Sequence, residues 1–275
     1  MLAWARAFVY AHQNQYRMLA PRWVQPRFGA IIRCEPKKRF YVGEFTNDGY
    51  IGGWRKWLIL QRTRRISETA FEGIARNLSG AEPVVVEFEG LKDYFTSLIP
   101  HREAILSELK RIAHPEALSS ADQVETPFIA ANVRRGDMTR QNKIPLSKIL
   151  QYTPTEWFVA AIEAIRADPK WQSMPVKIVS DGSADELQEL LALENCELVT
   201  TGKAVGDILL MTRADLLLAS GYSTFSMWAS FLGEMPTLYH PGKLQQRLFP
   251  WGASIFEGEW KAGDPLPVPN IINAS

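Results

Sequence analysis

Short apolar segments alternate with helical patterns through the second half of the chain, and this alternation restricts the fold more than any other feature. The apolar segments cover residues 128–133, 176–179, 198–199, 216–218 and 237–239. Between them, apolar residues recur on one helical face, as Phe158, Ile162 and Ile165 do. Strands that alternate with helices across short loops predict an α/β fold with a parallel sheet of Rossmann type.

Helix-capping sequences support this interpretation. Residues 153–156 (Thr-Pro-Thr-Glu) and 183–186 (Ser-Ala-Asp-Glu) both match the capping box, and the first has proline at the first helical position. Further helices are predicted from Ile208 and over residues 224–232, where Gly233 ends the helix. The segment 237–239 is then expected to be the last strand.

The first half is less regular. We predict a helix at the start, short strands at 18–20 and 84–88, and a helix at 102–112; a polar stretch from residue 21 to about 65 is dense in arginine, proline and aromatic residues. Residues 113–125 have the composition of a linker. We therefore expect an N-terminal α/β domain over residues 1–120 and a C-terminal domain over 121–275. Tryptophans crowd the first quarter, and we expect core positions for them rather than sugar-stacking surfaces: Trp4, Trp23, Trp54 and Trp57.

Composition excludes several classes of protein. The 275 residues carry a net charge of +1, so no global field attracts nucleic acid. The two cysteines are far apart and the four histidines are scattered, so we predict neither a disulfide framework nor a metal site. The opening apolar stretch is interrupted by Arg6 and is not typical of a secretion signal. Two cysteines without close partners fit a reducing compartment, and we expect a cytoplasmic protein.

The first predicted strand ends in Arg134, Arg135, Gly136 and Asp137. Ligands of open α/β sheets bind beyond the carboxyl ends of the strands. Two guanidiniums at such a position can clamp a phosphorylated ligand. The alternative is a surface ion pair between Asp137 and one of the arginines.

Two other loops should reach the same edge of the sheet. Asp181 follows the second strand, where a turn residue is the competing interpretation. The stretch 219–228 combines Gly221 with hydroxyl residues that open a helix, which favours an anion site. The hydroxyl residues are Ser223, Thr224 and Ser226, and helix capping is equally compatible with them. Asp207 is either an N-cap or a carboxylate that accepts the paired N–H donors of guanine.

These motifs, in this order, resemble those of α-1,2-fucosyltransferases, a family related to α-1,6- and protein O-fucosyltransferases. Residues 132–137 (Asn-Val-Arg-Arg-Gly-Asp) are similar to the shared His-x-Arg-Arg-x-Asp signature, and residues 179–181 to a second, acidic motif. Residues 207–211 and 223–228 resemble a third, of the Asn-Ser-Thr-Phe-Ser-Trp-Trp type. Residues 88–95 and 1–7 are similar to the Gly-Tyr-Phe-Gln-Ser segment and to the first helix of the family.

The resemblance implies two Rossmann-like domains in a GT-B-like arrangement and an inverting, metal-independent transfer of fucose from GDP-fucose to a glycan hydroxyl. It implies no cofactor. Arg134 would hold the diphosphate and stabilise charge on the departing GDP, Arg135 and Asp137 would shape the loop, and Asp207 would bind guanine. Asn132, Asp181 and the three hydroxyl residues complete the implied donor site. A lipid-linked acceptor would bring the protein to a membrane surface.

The chain departs from the family pattern at two places. Asn132 replaces the family histidine, and the glycine-rich loop that precedes the first helix in the family is not present before Met1. We therefore expect an N-terminal half that lacks its first strand, and a chain that binds GDP better than it turns over GDP-fucose. The alternatives are a non-catalytic nucleotide- or glycan-binding relative and a transferase that uses another nucleotide sugar. Asp137, His101 and Glu89 are the candidates for the general base.

Overall fold

The computed structural model describes residues 1–23, 43–74, 83–135, 152–249 and 254–267. The described residues form two compact units that divide between Ala113 and His114. The division precedes the expected boundary at residue 120 because helix α5 (Pro115–Asp122) belongs to the C-terminal unit. A linker was predicted here, and that prediction is wrong: Pro115 opens the helix, the His114 ring accepts the Glu116 N–H, and two alanines of α5 are buried.

The N-terminal unit contains four helices and two strands among its described residues. In chain order they are α1 (Leu2–Asn14), α2 (Gly53–Arg62), β1 (Arg64–Ser67), α3 (Glu68–Ile74), β2 (Val84–Glu87) and α4 (Arg102–Ile112), the last preceded by a 3-10 turn (Ile99–His101). Strands β1 and β2 pair in parallel, from Arg64 opposite Val84 to Ser67 opposite Glu87. The predicted elements at 84–88 and 102–112 are confirmed. Helix α2 and β1 lie where no regular element was predicted.

Buried Arg6 fixes the first helix in the N-terminal unit. Its side chain is almost fully buried on α1. Its Nη2 donates to the Glu89 carbonyl at 2.7 Å, and its Nε lies 3.3 Å from the Glu68 carboxylate. The cation that interrupts the apolar pattern of the opening stretch is therefore paired and hydrogen-bonded inside the unit, as a buried charge must be.

The C-terminal unit has the strand order of a Rossmann fold. After α5 come β3 (Ile129–Val133), α6 (Thr155–Arg166), β4 (Val176–Ser180), α7 (Gln188–Leu191), β5 (Cys196–Leu198), α8 (Ala204–Met211), β6 (Leu216–Ala219), α9 (Thr224–Gly233), β7 (Thr237–Tyr239) and β8 (Glu257–Glu259). The six strands pair in parallel in the order β5-β4-β3-β6-β7-β8. Counted from β3, this is the order 3-2-1-4-5-6 of dinucleotide-binding sheets.

The centre of this sheet is buried and packed with apolar side chains. Every residue of β3 and β6 is buried, and apolar side chains of α6, including Trp157, Phe158 and Ile162, pack against the sheet. Trp157 also donates its indole N–H to the Trp260 carbonyl at 2.9 Å. The parallel sheet predicted from the alternating pattern is thereby confirmed for the C-terminal unit, with loop positions at its edge set by a packed core.

The strand predicted at residues 237–239 is confirmed as β7, but it is not the last strand, because β8, which was not predicted, follows it. The sequence of β8, Glu-Gly-Glu, has no apolar pattern, and the strand pairs with β7 through the backbone at the edge of the sheet. Glu257 is nevertheless buried. Its Oε2 accepts the backbone N–H groups of Leu248 at 2.6 Å and Phe249 at 3.3 Å, whereas Oε1 has no hydrogen-bond partner in the part of the chain that the structure describes.

Within the described ranges, no helix combines the length and the apolar character needed to cross a bilayer.

The two glutamates of β8 should respond to pH in opposite directions. Burial raises the pKa of Glu257, although backbone N–H groups and Arg247 oppose the shift. A raised folded-state pKa means that ionisation costs stability as the pH rises through it, and that the cost is absent below the unfolded value of about 4.3. We therefore expect Glu257→Gln to be more stable than the parent at pH 7.5, with the difference vanishing toward pH 4, as measured by thermal unfolding.

Glu259→Gln is the matched control for this experiment. Burial acts to raise the pKa of Glu259, but the backbone N–H groups of residues 242–244 outweigh it and lower the pKa. Its ionised form therefore stabilises the fold above the unfolded pKa, so the glutamine variant should be less stable at pH 7.5. Equal pH profiles for the two variants would contradict the assignment of Glu257 as a destabilising buried charge.

Candidate functional site

Three loops meet at the carboxyl edge of the six-stranded sheet, after β3, β4 and β6. Strand β3 lies between β4 and β6, so the chain connections reverse direction at this point. Such a reversal opens the crevice in which α/β sheets of this order bind ligands. The residues predicted from the arginine, acidic and hydroxyl motifs all follow or end these three strands.

The side chain of Asn132 connects β3, β4 and α9 just below the carboxyl edge of the sheet. Asn132 is the fourth residue of β3 and is buried. Its Nδ2 donates to the Val179 carbonyl of β4 at 3.1 Å, and its Oδ1 accepts the Ser226 hydroxyl of α9 at 2.6 Å. Both ends of the amide are therefore used within the protein, and Asn132 supports the edge from beneath.

The backbone of the arginine pair is held from both neighbouring loops. The Arg134 N–H donates to the Ser220 hydroxyl at 2.9 Å, and the Arg135 N–H donates to the Asp181 carboxylate at 2.7 Å. Ser220 in turn donates its own N–H to the Asn132 carbonyl at 3.1 Å. These bonds determine where the half-buried Arg134 side chain leaves the sheet.

Arg135 is a structural residue of this edge, because its guanidinium is almost fully buried. Its Nη1 donates to the Thr153 carbonyl at 3.0 Å and its Nη2 to the Thr155 hydroxyl at 2.6 Å. The guanidinium carbon lies 4.8 Å from the centre of the Tyr152 ring, within cation–π range. The two adjacent arginines therefore have different environments, and the more accessible cation is Arg134.

The capping box predicted at residues 153–156 is wrong, because its two threonines bond to the site loops and do not cap the helix. Helix α6 begins at Thr155, and its N-cap Pro154 makes no side-chain capping bond. The Thr153 hydroxyl instead accepts the Gly221 N–H at 3.1 Å, while Thr155 binds Arg135. The hydroxyls expected to cap a helix connect the start of α6 to the site loops. The second capping box is confirmed, with reciprocal bonds between Ser183 and Glu186.

The loop after β4 is packed closely against Arg135. Ser180 donates its hydroxyl to the Val133 carbonyl at 2.5 Å and accepts the Gly182 N–H at 3.0 Å. A Cβ at Gly182 would lie 2.8 Å from Cγ of Arg135, closer than real side chains approach. Asp181 thus holds the segment of Arg134 and Arg135, here called the arginine loop, through the Arg135 N–H. Glycine is needed at position 182 because a larger residue would collide with the Arg135 side chain.

The hydroxyl motif opens α9 as predicted, but its three members differ in accessibility. Ser223 is the N-cap, and its hydroxyl accepts the Ser226 N–H at 3.4 Å. Ser223 and Ser226 are both buried, and the Ser226 proton is directed at Asn132. Thr224, the first helical residue, is half-buried. A phosphate at this helix end would reach Thr224 most directly, whereas Ser226 would have to give up its bond to Asn132.

Lys243 is a cation at this edge that the sequence motifs did not reveal. Its stem packs on the β6–α9 turn, where a Cβ at Gly221 would lie 2.3 Å from Lys243 Cβ. Its Nζ lies 5.8 Å from the centre of the Tyr222 ring, and partial burial lowers its pKa. The Leu244 N–H next to it donates to Glu259 at 2.8 Å. A lysine directly after the Pro-Gly pair that follows a predicted strand could have signalled this position.

Asp207 lies in the first turn of α8 and shapes the turn before it. The expected helix start at residue 207–208 is wrong, because α8 begins at Ala204. The Asp207 Oδ1 accepts the Thr201 N–H at 2.7 Å and the Thr201 hydroxyl at 3.0 Å. The N-cap is Lys203, so the N-cap interpretation of Asp207 is wrong, and the guanine contact remains a prediction.

The candidates for a general base lie in different places. Asp137 is outside the described residues. Glu89 and His101 belong to the N-terminal unit, where His101 Nε2 lies 3.1 Å from Gln13 Nε2. His101 also lines a pocket of that unit together with three aromatic side chains, Tyr10, Phe71 and Phe88.

A comparison with solved structures supports the fold of the chain. No protein-family model matches the sequence, and no curated protein matches it. Among solved structures, NodZ α-1,6-fucosyltransferase soaked with GDP-fucose is similar, with a TM-score of 0.51 and 15% identity over 86% of this chain and 89% of that chain. The fold is therefore fucosyltransferase-like.

Two further structures give lower scores. NodZ from Bradyrhizobium has a TM-score of 0.49 and 14% identity over 86% of this chain and 90% of that chain. POFUT1 in complex with GDP-fucose has a TM-score of 0.47 and 13% identity over 86% of this chain and 93% of that chain.

The different environments of the two arginines lead to a stability prediction. A lysine at position 135 has one ammonium and cannot reproduce the fork that serves Thr153, Thr155 and the Tyr152 ring. We expect Arg135→Lys to lose about 2 kcal/mol of unfolding free energy, since buried acceptors lose their donors. Arg134→Lys should stay within about 0.5 kcal/mol of the parent. Urea unfolding of both variants measures this, and equal losses would contradict the division of roles.

Proposed function

We propose that this chain is a glycosyltransferase that moves fucose from GDP-fucose to a hydroxyl of a glycan acceptor. The observation that carries the proposal is the arginine loop at the chain reversal of the sheet. There Ser220 and Asp181 hold the backbone, Arg135 is buried, and Arg134 is the more accessible of the two cations. The similarity to NodZ, whose crystal was soaked with GDP-fucose, supports the same donor.

Positive charge at this edge suits the departing diphosphate. Breaking the bond between the sugar C1 and the phosphate oxygen leaves negative charge on GDP. A planar guanidinium can bind two phosphate oxygens at once, and a preorganised cation stabilises the charge as it develops. Arg134 would take this role, with Lys243 as a second cation beside the turn. The N-terminal N–H groups of α9 and the Thr224 hydroxyl would add donors.

The remaining steps of the proposed reaction follow from an inverting displacement. The acceptor oxygen attacks C1 from the face opposite GDP, and its proton passes to a general base. Asp137, His101 and Glu89 are the candidates for that base. His101 lines a pocket with aromatic walls, which suits a sugar ring. Asp207 would accept the guanine N–H donors. An α-1,2 linkage and independence from metal ions are the family properties that the sequence motifs imply for this chain.

The leading alternative is a protein of this fold that binds a nucleotide or glycan without turnover. The observation in its favour is Asn132, which stands where the motif has histidine and whose amide nitrogen and oxygen are each hydrogen-bonded inside the protein. A transferase that uses another nucleotide sugar is the third possibility.

A nucleotide panel tests the donor. We expect GDP to raise the unfolding temperature more than UDP, ADP or CMP, because Asp207 complements the guanine edge. Ligand at 100 times Kd should stabilise the native state by about 2.7 kcal/mol. Equal shifts for all four nucleotides, or a larger shift for UDP, would contradict both the guanine contact and the fucose donor.

Release of GDP from GDP-fucose, measured with a panel of glycan acceptors, separates the enzyme from the alternative. Acceptor-dependent release supports the transferase. Strong stabilisation by GDP without any release supports the non-catalytic relative.

Substitution of Arg134 tests the diphosphate contact. Lysine keeps the charge but cannot form the planar two-point contact, so Arg134→Lys should weaken GDP binding by about 1.5–3 kcal/mol. Isothermal titration calorimetry measures the change, and Arg62→Lys, an exposed substitution in the N-terminal unit, is the matched control. An unaltered Kd for the Arg134 variant would make Arg134 a structural residue and remove the main support for the proposal.

A further inference from the structure

Helix α2 has an exposed aromatic face that the proposed function does not use. Trp54 is 70% exposed and Trp57 is 63% exposed, and no residue of the ten-residue helix is buried. Core positions were predicted for the early tryptophans. Trp4 confirms this, at 4% exposure, whereas the prediction is wrong for the two tryptophans of α2. Exposing two indoles leaves a large apolar area in water, which marks an interaction surface.

The helix is attached so that this face points away from the unit. The chain before α2 pairs with residues 18–20 through the bonds Ile51 N–H to Met18 and Ala20 N–H to Ile51, both 2.9 Å. On the helix itself, Lys56 donates to the Ala20 carbonyl at 2.5 Å, and burial lowers its pKa. At 100° per residue, Lys56 lies about 160° around the helix from Trp54 and about 100° from Trp57, and so on a different side.

Arginines flank the aromatic face on one side. Helical geometry places Arg55 and Arg62 on the same side of the helix, about two turns apart and about a quarter turn from the stripe formed by Trp54, Trp57 and Leu58. Both arginines are exposed, and the Arg55 guanidinium lies 5.6 Å from the centre of the Trp54 ring. Arg64 and Arg65 follow on β1 and are also exposed.

The charge around α2 has one sign. Residues 49–67 contain five Lys or Arg and no Asp or Glu. The segment that forms α2 and β1 therefore carries only positive charge, although the whole chain has a net charge of +1, and a complementary partner must be anionic.

We propose that α2 docks the protein on an anionic bilayer surface. Tryptophan side chains favour the headgroup region, and flanking arginines bind lipid phosphates, so a short helix with both features lies in the plane of the interface. A glycan platform fits less well, since the convex stripe offers Gln61 as its only uncharged polar side chain for sugar hydroxyls. This proposal does not depend on the donor or on turnover.

Flotation with vesicles tests the proposal. We expect the full chain to float with phosphatidylcholine vesicles that contain phosphatidylglycerol, to stay unbound with phosphatidylcholine alone, and to bind less as salt is raised. Trp54→Ser/Trp57→Ser and Arg55→Gln/Arg62→Gln should each reduce bound protein at least tenfold. Because these side chains are exposed, both variants should keep the parent unfolding temperature and the parent response to GDP.

Matched controls test whether binding depends on this helix or on any exposed apolar side chain or cation of the protein. Leu91→Ser removes another exposed apolar side chain of the same unit, and Lys110→Gln/Lys261→Gln removes two exposed cations elsewhere; both should float like the parent. Any of three results overturns the proposal: no binding to anionic vesicles, equal binding to both vesicle types, or unaltered flotation of the tryptophan variant. Loss of binding to a glycan array, with flotation unaltered, would identify the face as a carbohydrate platform instead.

Discussion

The buried guanidinium of Arg135 is the interaction on which the candidate site depends. A charge enclosed in the protein must have hydrogen-bond partners, and these come from the start of α6, through the Thr153 carbonyl and the Thr155 hydroxyl. The same residue receives support from the β4 loop, since its N–H is bound by Asp181. One residue thus connects three segments that are distant in sequence, through its side chain and its backbone N–H. The neighbouring Arg134 obtains its position from this connection.

The C-terminal sheet could be predicted from the sequence because its signals are local. Strands β3 and β6 are buried on both faces, so they appear as apolar runs that only Asn132 interrupts, and α6 shows its buried face at helical spacing. The Ser183–Glu186 capping box likewise involves residues three apart. Strand β8 could not be found in this way, since it is defined by backbone pairing with β7 while its own side chains are polar.

The roles of the site residues could be predicted only in part, because they depend on contacts between distant segments. The motif identified two arginines, but their unlike burial results from Thr153 and Thr155. Lys243 reaches the site through the packing of its loop on Gly221. The exposure of Trp54 and Trp57 was also unpredictable, since an amphipathic pattern does not say whether its apolar face is covered by the protein.

Asn132 shows how the support of such a site can be separated from its chemistry. Its amide bonds to β4 and α9 at once, which keeps the arginine loop and the start of α9 in register. Asparagine makes both of these hydrogen bonds and is therefore a sufficient support for the edge of the sheet. A histidine at this position would have to make the same two bonds with a larger ring. The asparagine therefore leaves the placement of Arg134 and Thr224 intact, and any contribution to proton transfer must come from a residue outside this buried network.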